Sequence, residues 1–275
     1  MSPLEKKRSP NPSLPEDLVL IIVARVSRLH YRTLSLVSKS FRSLLASPEL
    51  YKTRSLLGKT ESCLYVCLQC NPGYRWFTLY RKPDQTLTND TSKKKSSSGY
   101  VLATVPSPRF HKACYSSLVA VGSDIYNIHA PSSSSVSVLD CRYHTWREAP
   151  APRLPVKELL ISGSYCEIKN VFYTVCNRMV VWYDNTEPEV RRWRHLEVGE
   201  LPTFPPGVSV RLADYGGKLA VLWEDDLFHK KKVLCAEIAL ERRKSGEIVG
   251  KLEWLGHVLT ILKEYEFVKV LAATV

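Results

Sequence analysis

Strand-sized apolar runs recur along this chain at nearly even intervals. With DIYNI, NVFYTV and KLAVLW aligned, Ile125, Val171 and Leu219 stand 46 and 48 residues apart. In each unit a second run ends near an acid (Asp140, Asp184, Glu237), and a tryptophan comes after it (Trp146, Trp193, Trp254). The tryptophan intervals, 47 and 61, are looser because the last unit carries the polar stretch ERRKSGEIVG. An earlier unit, SCLYVCL with YRWFTLY, lacks the closing tryptophan. Such runs, separated by turn residues with no convincing amphipathic helix between them, predict an antiparallel all-β domain over residues 61–275. A period of about fifty residues is that of a propeller blade, four strands with a large aromatic wedged between neighbours. The length allows about four to five blades, and closure into a ring is left open. Residues 84–99, DQTLTNDTSKKKSSSG, are expected to form a mobile polar loop.

The N-terminal part has another texture. Residues 1–12 are expected to be a disordered basic tail, and residues 13–57 read as helical. The stretch EDLVLIIVARV has six apolar residues in a row, Leu18 to Val23, which by propensity alone suits a buried strand equally well. Ser13-Leu14-Pro15-Glu16 favours a helix: it has capping-box spacing, and Pro15 fits a first helical turn. A second helix is expected over LSLVSKSFRSLLAS, where Leu34, Val37, Phe41, Leu44 and Leu45 make one stripe and Pro48 ends it. A helix apolar on every side must be covered on every side, and about forty helical residues rarely bury enough surface to stand alone. One side of the first helix is therefore expected to pack on its sister helix and the other on a partner. The charge points the same way. The chain carries a formal +12, and its first sixty residues hold eleven Lys/Arg against four Asp/Glu, which suits an acidic partner, nucleic acid being one candidate.

SLPEDLVLIIVARV followed by LSLVSKSFRSLL resembles an F-box, with a Leu14-Pro15 entry, a hydrophobic first helix, then Val37-Ser38-Lys39, Phe41 and Arg42. The remainder of the chain is similar to the kelch repeat. Pro108-Arg109 precedes a strand, Asp124-Ile125-Tyr126 opens the next, Val138-Leu139-Asp140 closes another, and Trp146 stands after it. Together they resemble the plant-type F-box/kelch-repeat proteins over nearly the whole chain. The resemblance implies a multi-domain α and β architecture, a small helical F-box followed by an all-β, propeller-like kelch domain. It also implies a substrate-recognition subunit of an SCF-type ubiquitin ligase. The F-box docks a Skp-type adaptor that joins a cullin–RING ligase, and the kelch domain holds a protein substrate for ubiquitination. By the same resemblance the adaptor-binding positions are Leu14, Pro15, Leu18, Ile21, Ile22, Val37 and Phe41, while no substrate-binding residue is implied. A second reading is a non-catalytic kelch scaffold acting outside ubiquitination, or a decayed paralogue with a non-functional propeller. The chain departs from the kelch pattern at its double glycine: His129-Ala130 comes after DIYNI, and Gly216-Gly217 stands before its strand.

Other chemistry fits these residues less well. Eight cysteines at irregular spacing, behind a start without an apolar leader, read as reduced packing thiols of an intracellular protein. Cys67, Cys70, His111 and Cys114 have zinc-ligand types, but Cys67 sits inside an apolar strand run. Tyr74, Trp76 and Tyr80 alternate with basic residues as a nucleic-acid platform does, yet both faces of that strand are expected to be buried between blades. Trp223-Glu224-Asp225-Asp226 reads as a solvated acidic turn, and Lys93–Lys95 and Lys230–Lys232 as charged loops. No nucleophile elbow, phosphate loop or metalloprotease motif is present, so neither catalysis nor a cofactor is expected. No run approaches the roughly 20 apolar residues of a membrane span.

Overall fold

The computed structural model describes residues 14–71, 73–82, 99–108, 113, 118–128, 135–150, 165–184 and 192–275. The expected tail, 1–12, and nearly all of the 84–99 loop lie outside them. Helices come first: α1 (Glu16–Ala24), a 3-10 turn (Arg28–His30), α2 (Tyr31–Leu34), α3 (Lys39–Leu45) and α4 (Pro48–Leu56). None is long and apolar enough to cross a membrane.

Two helix expectations are corrected. The first helix starts at Glu16 behind Pro15, whose carbonyl accepts from the Leu18 and Val19 N–H groups at 3.0 and 3.1 Å with no side-chain cap. Ser13, the predicted cap, lies outside the described residues. Of the predicted second helix, residues 34–47, only α3 is helix beyond Leu34, behind a break at residues 35–38, and a further helix, α4, comes after it. Ser38 accepts from the Phe41 N–H at 3.1 Å and starts α3, and Ser47 accepts from the Leu50 N–H at 3.3 Å and starts α4. Pro48 thus opens a helix instead of ending one, because its fixed φ and missing N–H suit a first turn. The main helical neighbour of α1 is this unforeseen α4. Val23, Ala24, Tyr31, Leu45 and Leu50 form the helical core, with Val19, Leu20, Leu34 and Phe41 half-buried around it.

Among the described residues the strands form four sheets. The first joins β1 (Ser62–Gln69), β2 (Tyr74–Arg81) and β3 (Tyr100–Val105) to β17 (Glu266–Thr274). The second is β4 (Leu118–Val121), β5 (Asp124–Asn127), β6 (Ser135–Asp140) and β7 (Thr145–Pro150). The third is β8 (Cys166–Ile168), β9 (Val171–Cys176), β10 (Met179–Asp184) and β11 (Arg194–His195). The fourth runs β13 (Val210–Tyr215), β14 (Lys218–Leu227), β15 (Lys230–Arg242) and β16 (Ile248–Leu262), with β12 (Glu197–Val198) parallel on its edge. β17 packs against β4 and β13, and β13 against β8, so the sheets succeed one another in the order second, first, fourth, third. Between the second and third sheets no pair of strands among the described residues packs as closely. The four propeller-like units among the described residues fall within the expected four to five.

The repeat read from the sequence has a physical basis. Ile125, Val171 and Leu219 each sit in the second strand of a unit and are buried. Asp140, Asp184 and Glu237 lie in the third strands and are buried as well, held by Arg142 (2.7 Å), Arg242 (2.5 Å) and Lys218 (2.7 Å). A buried carboxylate requires such a partner. Trp146 wedges against Trp76 of the neighbouring sheet at 5.8 Å, and Trp254 stacks on Tyr100 at 4.4 Å. Trp193 departs from the pattern: it stays exposed beside Tyr183 of its own sheet. The double glycine is also explained. Gly216 and Gly217, with φ of 67° and 84°, make the left-handed turn from β13 to β14, a site where the third unit uses Lys169 and Asn170 at 51° and 64°.

The unit around SCLYVCL, which lacks the closing tryptophan, is completed by β17, paired antiparallel to β1 from Ser62↔Thr274 to Gln69↔Glu266. Two segments read as loops are strand instead. Trp223–Asp226 lies within β14 and Lys230–Lys232 opens β15, where Lys231 pairs with the buried Glu224 at 2.9 Å. Lys93–Lys95 lie outside the described residues.

Candidate functional site

The exposed side of α1 is the outstanding surface feature. Leu14, Leu18 and Ile22 succeed one another at four-residue steps and are 59%, 48% and 52% exposed, while Val23 and Ala24 are buried against the helical core. That spacing sets Leu18 and Ile22 on one stripe of α1, and Leu14 stands just ahead of the helix. Pro15 is exposed at the head of the stripe, and Ile21 is half-buried beside it. Val37 stands exposed in the 35–38 loop, where the Ser38 cap and the bond from the Val37 N–H to the Leu34 carbonyl (3.1 Å) hold the chain out of helix. Leu36, absent from the predicted set, is 74% exposed in the same loop. The predicted set therefore divides. Leu14, Pro15, Leu18, Ile22 and Val37 are presented outward, and Phe41 leans on the helical core.

Behind this face, the helices are fixed to the sheets through one buried cation. Arg54 of α4 is 2% exposed; its Nη1 reaches the Ala24 and Val26 carbonyls at 3.0 and 2.7 Å and the Tyr31 hydroxyl at 3.2 Å. Its Nη2 donates to Glu61 Oε1 at 2.7 Å. Glu61 also accepts from Ser27 Oγ and from the Arg28 N–H, and its own backbone pairs with Val275 beyond the end of β17. The exposed helix is thereby tied to the first sheet. No sequence signal marks this joint, because an arginine among basic neighbours reads as surface.

A second seam runs between α4 and the turn after β6. Tyr51 meets Tyr143 edge-on at 5.1 Å, the Arg28 guanidinium lies 5.4 Å from the Tyr51 ring, and the Tyr65 hydroxyl donates to the Cys141 carbonyl at 2.9 Å. Because that proton is committed, His144 Nε2, 3.0 Å away, must be the donor to Tyr65. Burial, and then the nearby Arg28 charge, push the His144 pKa down to about 4. Between its unfolded value and about 4, only the unfolded chain takes up the proton, so stability falls as the pH falls through that window. We expect about 3 kcal/mol of His144-dependent loss between pH 7 and pH 4. His144→Asn tolerates the φ of 55° and should lack this component in urea titrations across that range. Parallel pH profiles for both proteins would contradict the assignment.

Of the remaining candidates, those among the described residues are packed in the core. Cys67 and Cys70 are buried in two different clusters, and burial raises the Cys67 thiol well above its usual range. His111 and Cys114 lie outside the described residues. Tyr74 and Trp76 belong to one cluster, Phe77 and Leu79 to the opposite one, so both faces of β2 are covered as expected.

Comparison with known proteins decides the family. The F-box domain model matches residues 12–53, and the model described as FKB95, Kelch-repeats domain, matches residues 76–162 and 154–259. The F-box/kelch-repeat protein At3g08810 of Arabidopsis thaliana is 49% identical over 331 residues, covering 97% of this chain and 94% of that protein. The chain belongs to the F-box/kelch-repeat family. F-box/kelch-repeat proteins At5g51250 and At4g39550 of the same plant are 43% and 42% identical over 368 and 382 residues, covering 95% and 100% of this chain and 99% and 96% of their own lengths. These alignments have more positions than this F-box/kelch chain has residues, so each relative carries internal segments with no counterpart here. Membership gives the chain the general role of an F-box adaptor, a binding component.

Proposed function

We propose that this F-box/kelch protein is the substrate-recognition subunit of an SCF-type ubiquitin ligase, with residues 13–57 as the docking module and 61–275 as the receptor. The observation that carries the reading is the stripe of Leu18 and Ile22, with Leu14 just ahead of it, left open on a helix whose other side is buried. A Skp-type adaptor covers that stripe together with Pro15, Ile21, Val37 and Phe41, and joins the chain to a cullin–RING ligase. The protein acts inside the cell, in the cytoplasm or nucleus. It does no bond chemistry itself: tethering a substrate beside the ligase raises the local concentration of its lysines to about the millimolar range.

The test uses purified parts. Tagged chain should capture a cullin–RING ligase only when the Skp-type adaptor is present, and Leu14→Ala combined with Pro15→Ala should abolish capture. A folded chain that retains neither adaptor nor cullin would move the scaffold reading forward.

A further inference from the structure

A cleft of about 440 Å³ opens between the helices and the first two sheets. Its size is that of a small-molecule site. Four guanidinium groups line it, Arg28, Arg32, Arg42 and Arg142, and none of its lining residues is acidic. Arg142 is neutralised by Asp140, at 2.7 and 3.0 Å. Arg28, Arg32 and Arg42 have no ion-pair partner among the described residues, which leaves three uncompensated charges on the walls. Arg28 is the telling one. It is 7% exposed, its Nη1 has no hydrogen-bond partner, and its Nη2 makes only a long contact, 3.4 Å, with the Arg142 carbonyl. A buried cation lacking an anion is costly. Glu61 accepts the Arg28 backbone N–H and pairs by its carboxylate with Arg54, so it does not relieve the guanidinium.

We propose that this cleft binds a small phosphate-bearing anion carrying two or more negative charges. Guanidinium forks match phosphate oxygens bidentately, and a phosphomonoester or diphosphate supplies the charge that the walls lack. Tyr80 and Tyr143, also on the walls, add aromatic surface for the organic part of such a molecule. Arg32 and Arg42 come from the helices and Arg142 from the second sheet, so the bound anion clamps the two parts of the protein together. Its occupancy would fix the orientation of whatever the sheets hold relative to the docking helix.

Pyrophosphate is the probe, titrated calorimetrically into the full chain, free or in complex with adaptor, with citrate as a carboxylate control. One-to-one saturable binding of pyrophosphate is expected. The double variant Arg32→Gln and Arg42→Gln, both exposed side chains, should weaken it about tenfold or more, the worth of one charge-assisted bond. That variant should keep the native unfolding midpoint in the absence of pyrophosphate, which separates a lost ligand contact from a lost fold. Absence of saturable binding, equal binding by the double variant, or citrate binding as tightly as pyrophosphate would each overturn the proposal.

Discussion

Arg54→Ala should destabilise the chain by about 3 kcal/mol, because it removes the buried partner of the half-buried Glu61 and strips the donor from the Ala24 and Val26 carbonyls. The Ala24 and Val26 carbonyls and the Tyr31 hydroxyl lose the donor at 2.7–3.2 Å, and Glu61 keeps its charge with only Ser27 and the Arg28 N–H to answer it. Arg54→Lys should fall between, since an ammonium cannot span Glu61 and the carbonyls together. Urea unfolding monitored by the helical signal measures the loss. A change of under about 1 kcal/mol would place the pair with ordinary surface salt bridges and contradict its role as the joint between helices and sheets.

Ile22→Asp should weaken adaptor binding about a hundredfold, roughly 3 kcal/mol, by burying an unpaired carboxylate in the interface. The substitution costs the free protein little, since Ile22 is about half exposed and stands outside the helical core. Lys52→Gln, at an exposed position of α4, lowers the net charge by the same single unit, provides a charge control and should leave affinity within about threefold, as surface changes usually do. Equal losses in both variants would mean that net charge, and not the apolar stripe, drives docking. Adaptor titrations at two salt concentrations separate these outcomes further, because a charge-driven contact is screened and an apolar one is not.

The β architecture was legible where local chemistry repeats. A buried second-strand residue, a buried acid with its cation and a wedging tryptophan recur because each unit faces the same packing problem, so Ile125, Asp140 and Trp146 announce themselves. The pairing of β17 with β1 was not legible, since nothing local in EFVKVLAAT distinguishes its partner from any other strand. The helical segment shows the same limit. Ser38 and Ser47 fit a helix surface as well as a cap, and only tertiary packing decides that both serve as caps. Five of the seven proposed docking residues are exposed as a docking role requires, whereas Leu36 escapes a reading that runs one continuous helix through a segment the structure breaks. The arginine-lined cleft had no sequence signature at all, as Arg28, Arg42 and Arg142 come from separate elements.

Docking through the α1 stripe is tested most directly by a calorimetric titration of a Skp-type adaptor into the native chain and into Leu14→Ala/Pro15→Ala. One-to-one binding by the native chain is expected, with affinity at least about tenfold weaker in the double variant, the loss of two apolar contacts. A native chain that is folded yet releases no binding heat at any temperature, or a double variant that binds as tightly as the native chain, would refute docking through this stripe.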